Sequence, residues 1–169
     1  MPVQRLNHAV LYVRDVDRSV AFYTEALGFR VVAGFAGGAF LQAEGSTNDH
    51  DLGLFAIGKA GGPPTAGISS VGLYHLAWEV DTLGELARIA GVLRERGALV
   101  GATDHGSTKA LYAKDPDGLE FEVSWLVPAR LLGHETAART VALDLPAEIE
   151  RYGAETPSGI GVSVPSAKA

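Results

Sequence analysis

The chain has 169 residues, no cysteine and a formal net charge of −6, with 47% hydrophobic and 20% charged residues. That is enough apolar material for a packed core, and it excludes disulfide scaffolds, thiolate metal sites and cysteine nucleophiles. The acidic balance gives no footprint for nucleic acid or an anionic membrane, which leaves small molecules and protein partners.

The first residues, M-P-V-Q-R-L-N-H, carry no long apolar run, so a cytoplasmic protein without a signal peptide or membrane span is expected. L-N-H-A-V-L-Y-V, residues 6–13, is β-branched and aromatic and predicts a strand with His8, Val10 and Tyr12 on one face. Asp15 or Asp17 can cap a helix running to Leu27 on a stripe of Val16, Val20, Phe22, Tyr23 and Leu27, with Gly28 as its stop. Strands are predicted over 29–33, 39–43 and 51–57, completing a β-α-β-β-β unit. The Gly- and Pro-rich stretch 58–72 reads as a connector between modules.

The pattern then starts again. L-Y-H-L-A-W-E-V, residues 73–80, is a strand with histidine third, as in the first half. A helix over 83–96 presents Leu83, Leu86, Ile89, Ala90 and Leu93 and stops at Gly97. Matching His8 to His75 gives an offset of 75 − 8 = 67 and defines an internal duplication. Strands near 98–102, 109–114 and 119–126 close the second half. The tail, 128–169, holds one short helix over 146–152, a surface histidine without a role (His134) and an end expected to fray.

The last two strands flank a D-P-D-G turn, in which Pro116 presets φ and Asp117-Gly118 tolerates left-handed geometry. Alternation puts Glu120, Glu122 and Ser124 on one face, with Phe121, Val123 and Trp125 on the other. A mid-strand carboxylate is costly if buried alone and wants a cation. A lone strand histidine is more often a hydrogen-bonded structural ring than a ligand. Two at matched positions, joined to Glu122, instead suggest a divalent metal on His8, His75 and Glu122 with open positions.

Paired β-α-β-β-β modules, a histidine on each first strand and D-P-D-G-x-x-x-E together resemble the vicinal oxygen chelate superfamily over residues 5 to about 127. The resemblance implies an α+β fold in which two tandem βαβββ modules form a curved, half-open mixed β-barrel around a metal site. It also implies one domain over 1–127, made of modules 5–57 and 73–127. N-D-H-D-L-G-L-F, G-L-Y-H-L-A-W-E-V and D-H-G-S-T-K-A-L-Y-A-K-D-P-D-G-L-E-F-E are further similar to the catalytic module of type I extradiol ring-cleavage dioxygenases. That similarity implies Fe(II), with Mn(II) equally suited to the donors, on His8, His75 and Glu122. It implies that His50 acts on bound oxygen and that His105 and Tyr112 bind the substrate oxygens. The substrates implied are a catechol and O2, and the single pair of modules implies a homodimer.

Glyoxalase I-type members add a fourth ligand, usually Glu, where half one matches the last strand. At the offset of 67 that position is 122 − 67 = 55, which is Phe55, and the nearest acid is Asp51. A three-ligand site suited to a bidentate catecholate and O2 is therefore expected. Two other readings stand beside it: a metal-dependent isomerase or epimerase, which would consume no oxygen, and a non-catalytic binding protein of the resistance kind. The presence of all three ligands counts against the second.

Overall fold

A computed structural model describes residues 2–3, 5–65, 69–133 and 136–159. His134, the terminal residues from 160 onward and part of the predicted connector (66–68) lie outside them. The chain divides into two compact units, residues 1–65 with 115–119, and residues 66–114 with 120–169. The fold is α+β, with two sheets and three α-helices among the described residues. No helix of the described residues is long and apolar enough to cross a membrane.

The first unit runs β1 (Ala9–Val13), α1 (Val16–Leu27), β2 (Arg30–Phe35), β3 (Gly38–Gln42) and β4 (Leu52–Ala56). Its sheet order is β1-β4-β3-β2, with β1 parallel to β4 and the remaining neighbours antiparallel. Of the two candidate caps, Asp15 is the one used: its side chain accepts from the Arg18 N–H at 3.0 Å. Gly28 closes the helix at φ +72°, where a side chain would be strained. Phe22, Tyr23 and Ala26 are buried with Leu41, Leu52 and Leu54 of the sheet.

The D-P-D-G turn belongs to this unit, and its acids are anchors. Asp115 accepts from its own turn, from the Asp117 and Leu119 N–H groups at 2.9 Å, and from the Tyr23 hydroxyl at 3.2 Å. Burial pushes the Asp115 carboxyl up, and these donors only partly offset that. Asp117 accepts from Arg14 at 2.8 Å and Arg18 at 2.7 Å, while Arg14 also donates to the carbonyls of Gly61 and Gly62 at 2.8 Å. One motif thus ties down both the start of α1 and the residues that follow β4.

The second unit runs β5 (Leu76–Glu79), α2 (Leu83–Glu95), β6 (Leu99–Asp104), β7 (Thr108–Lys114), β8 (Glu120–Leu126), a 3₁₀ turn (Ala129–Leu131), β9 (Val141–Ala142) and α3 (Leu145–Tyr152). Its order is β5-β8-β7-β6-β9, with β5 parallel to β8. Thr82 caps α2 by accepting from the Glu85 N–H at 3.2 Å. The predicted stripe of Leu83, Leu86, Ile89, Ala90 and Leu93 is fully or almost fully buried. Each large member of that stripe contributes on the order of 1.5–3 kcal/mol of transfer free energy.

Both first strands begin later than their hydrophobic runs suggest, so His8 and His75 each sit immediately before β1 and β5. The internal offset is not constant. Ala9 pairs with Leu52 and Leu76 with Phe121, so Glu122 corresponds to Gly53 at an offset of 122 − 53 = 69. The helix starts keep the first offset, 83 − 16 = 67, while Gly28 and Gly97, the left-handed glycines after each helix, give 97 − 28 = 69. α2 ends at Glu95 with Arg96 as its C-cap, so the two extra residues lie between the start of α2 and Gly97. Gly53, and not Phe55, is therefore the counterpart of Glu122.

The tail is built into the second unit. Trp125 Nε1 donates to the Thr156 carbonyl at 3.0 Å, and the Trp125 and Tyr152 rings lie 5.4 Å apart. Lys109, at 0% exposure, sits on the otherwise apolar face of β7 with Leu111 and Ala113. Its Nζ lies 2.6 Å from Asp104 Oδ1 and 3.1 Å from Glu148 Oε2 on α3. Burial would raise the Asp104 carboxyl, but hydrogen bonds from Lys109, Arg139 and the Gly106 N–H, together with the Lys109 charge, outweigh it and hold it below the ordinary value.

A carboxyl depressed in the folded state contributes stability above its unfolded value and loses it as pH falls through the folded one. Asp104→Asn should therefore unfold at lower urea than the parent at neutral pH, and the gap should close as pH falls below about 4. Urea midpoints taken in steps of pH check this; a gap that persists unchanged in acid would contradict it.

Candidate metal centre

The second unit brings four of the six candidate residues into one run. β8 presents Glu122 next to β7, where Tyr112 is its direct cross-strand partner. Alternation turns Phe121, Val123 and Trp125 into the core, which leaves Glu122 on the other face. Ala77 of β5 pairs with Glu122 from the opposite side, and that register brings in the histidine just before the strand. His75 Nε2 lies 3.2 Å from Glu122 Oε2, with the two side chains 24% and 13% exposed.

Tyr112 extends the run. Its ring stands 5.8 Å from that of His75, and its hydroxyl is 3.0 Å from His105 Nε2. Burial, and then the negative charge of Glu122, push the Tyr112 phenol up. At neutral pH Tyr112 is thus a hydrogen-bond donor rather than a phenolate.

In the first unit the two remaining candidates meet each other. The His8 and His50 rings have centroids 4.4 Å apart, and Phe40 lies 4.5 Å from His50 on a further side. His8 Nδ1 is 2.7 Å from Asn7 Oδ1, and His50 Nδ1 is 3.1 Å from Asp49 Oδ2. Gly53 of β4 leaves no carboxylate at the position that corresponds to Glu122. A Cβ there would already stand 3.2 Å from Val10 and 3.3 Å from Phe40 and Phe55. Asp51 does not substitute, since its oxygens accept from Ala43 N, Ser46 Oγ and Asn48 Nδ2 at 2.7–2.9 Å.

Among the described residues no three His, Cys, Asp or Glu side chains are grouped as a metal would require; the assembled pair is His75 and Glu122. That pair fits a divalent ion. Donors at right angles, each about 2.0–2.2 Å from one ion, are themselves about 3 Å apart, close to the 3.2 Å between Nε2 and Oε2. A neutral imidazole with a carboxylate is a donor set that Fe(II), Mn(II) and Zn(II) all accept. Among the described residues His75 Nδ1 is buried without a hydrogen-bond partner, while its Nε2 faces Glu122.

Sequence reasoning missed the charges beneath this run. The visible signal was a lysine at position 109, in phase with Leu111 and Ala113 on the core face of its strand.

Residues 5–123 match the family model described as the Glyoxalase/Bleomycin resistance protein/Dioxygenase superfamily, and the chain belongs to that family. It is 32% identical over 122 residues to a catechol-2,3-dioxygenase of Bacillus subtilis, covering 70% of this chain and 40% of that protein. It is 34% identical over 115 residues to biphenyl-2,3-diol 1,2-dioxygenase 3 of Rhodococcus globerulus, covering 68% and 59%. The chain therefore spans about half the length of these two relatives. A lactoylglutathione lyase of Salmonella typhimurium is 30% identical over 138 residues, covering 70% and 90%. Among solved structures, a glyoxylase/bleomycin resistance protein/dioxygenase domain from Frankia sp. EAN1pec shares the fold with a TM-score of 0.62 at 23% identity, covering 75% and 94%.

Proposed function

We propose that this protein is an extradiol dioxygenase that opens the aromatic ring of a catechol-type substrate with O2, with Fe(II) held by His8, His75 and Glu122. The two modules, 5–57 and 73–127, are proposed to work as one domain in a cytoplasmic homodimer. The observation that carries the proposal is the continuous run His105–Tyr112–Glu122–His75. It has metal-compatible donors 3.2 Å apart at one end and an imidazole–phenol pair 3.0 Å apart at the other.

Bound Fe(II), or Mn(II) on the same donors, would supply Lewis acidity and an electron path between catechol and O2. Glu122 contributes the negative charge of the ligand set and, after burial, helps push the Tyr112 phenol up. Tyr112 Oη and His105 Nε2 form an adjustable donor–acceptor pair for the substrate oxygens, able to receive a hydroxyl proton and return it. His50 would act as acid–base catalyst toward the oxygen. The apolar ring of Phe40 against it limits the water that could take its place.

Glyoxalase-type chemistry, the alternative suggested by the lyase relative, would want a fourth carboxylate. Gly53 stands at that position, and Asp51 is committed to three local donors. His50→Phe should keep metal content unchanged and lower turnover of a catechol by about a hundredfold or more. Metal analysis beside oxygen-uptake rates checks it, and full activity in the variant would remove His50 from the mechanism.

A further inference from the structure

The turn between β6 and β7 carries His105, and its backbone is held from several directions. His105 N donates to the Thr108 carbonyl at 2.8 Å, and Gly106 N to Asp104 Oδ1 at 2.7 Å. From the tail, Arg139 N approaches the His105 carbonyl at 3.4 Å. Gly106 has φ +87°, and a Cβ there would stand 2.7 Å from the Thr136 carbonyl oxygen and closer still to that of Ala137. The tail backbone is thus packed directly on this turn.

Asp104, the residue before His105, divides its carboxylate among three partners. Oδ1 takes Lys109 and the Gly106 N–H, while Oδ2 takes the Arg139 guanidinium, with Nε at 2.8 Å and Nη2 in close contact. A forked guanidinium on one carboxylate fixes orientation as well as charge. β9 then pairs with β6 at Thr103↔Ala142 and Asp104↔Val141, and Leu143 N donates to the Ala102 carbonyl at 3.2 Å. All of these tail residues lie beyond the stretch 5–123 that matches the family model.

We propose that the tail segment 136–143 is a brace for His105, and that Arg139, acting through Asp104, is the positioning residue that sets where the His105 ring meets Tyr112. Its importance for turnover rests on the dioxygenase proposal; the brace itself does not. Arg139 meets Asp104 at Oδ2 with a side chain that is 34% exposed, and replacing it leaves the buried carboxylate its Oδ1 partners, Lys109 and the Gly106 N–H. Lost geometry at a substrate-contacting group is felt mainly in turnover, because small misplacements near reacting atoms are costly.

The test uses the full-length chain with three substitutions, Arg139→Gln, Arg139→Lys and Glu148→Gln. Glu148 meets Lys109 but not Asp104, so it reports loss of stability without loss of the fork. In the metal-free protein, Arg139→Gln should shift the ring ¹⁵N resonances of His105 and leave those of His8 and His50 in place. Glu148→Gln should lower the melting temperature with the His105 signals unmoved. In the Fe(II)-loaded protein, Arg139→Gln should lower kcat for a catechol by about tenfold or more, with KM changed by less than about threefold. Arg139→Lys should recover only part of that loss, since an ammonium cannot fork.

Unmoved His105 signals in Arg139→Gln would overturn the brace, whatever the parent does with catechols. If the parent cleaves no catechol, the dioxygenase proposal fails separately, and a selective His105 shift still supports the brace.

Discussion

Glu122→Ala is expected to strip the protein of tightly held metal, lowering affinity by at least about a hundredfold and abolishing turnover at ordinary metal concentrations. Glu122 supplies the only negative charge among the three proposed ligands, and its Oε2 is the atom that faces His75 Nε2. The fold should survive, because the side chain is not in the core and its β8 neighbours Phe121, Val123 and Trp125 carry the packing. The substitution also removes a charge that pushes the Tyr112 phenol up, so the phenol should titrate lower in the variant. Metal per chain after dialysis, a thermal melt and an ultraviolet titration of tyrosine read the three effects. Unchanged metal content would take Glu122 out of the ligand set.

Lys109→Met is expected to cost about 3–5 kcal/mol, because removing one partner from a buried charge cluster leaves the others uncompensated. Lys109 is fully buried between Asp104 and Glu148, and its ammonium lies 5.8 Å from the Tyr152 ring centroid. Methionine fills similar volume, so the loss is one of charge pairing rather than of a cavity. Against the 5–15 kcal/mol typical of a domain, such a loss is large. Urea unfolding gives the number. A change below about 1 kcal/mol would mean that Arg139 and the Gly106 N–H satisfy Asp104 without the lysine, and that Glu148 is solvated.

Much of the fold was legible because local chemistry and periodicity agree. Asp15 and Gly28 bracket α1, the α2 stripe is the buried one, and the D-P-D-G turn sits between two strands as read. What eluded the sequence was length and long range. Two extra residues between the start of α2 and Gly97 change the offset from 67 to 69, so simple subtraction landed on Phe55 when the ladder registers select Gly53. Like Phe55, Gly53 offers no side chain for a fourth ligand.

β9 has only two residues, too short for any alternation to show, and it exists because β6 offers an edge to pair with. Lys109 stands in phase with Leu111 and Ala113, but its partner Glu148 comes from α3 in the tail, and no local pattern announces that contact. In the site, His75 and Glu122 were singled out by matched histidine positions and a mid-strand carboxylate, and the parallel β5–β8 register sets them side by side. The stacking of His8 on His50 did not, because it depends on how the loop before β4 folds back through Asp51, Ser46 and Asn48.

The central claim is tested most directly by loading the purified protein with Fe(II) under anaerobic conditions, adding a panel of catechols, and admitting oxygen while absorbance is followed. The predicted result is oxygen consumption in step with catechol loss and the appearance of a yellow ring-fission product. Tight binding of Fe(II) with no oxygen uptake across the panel would contradict it and turn the same residues toward isomerase chemistry.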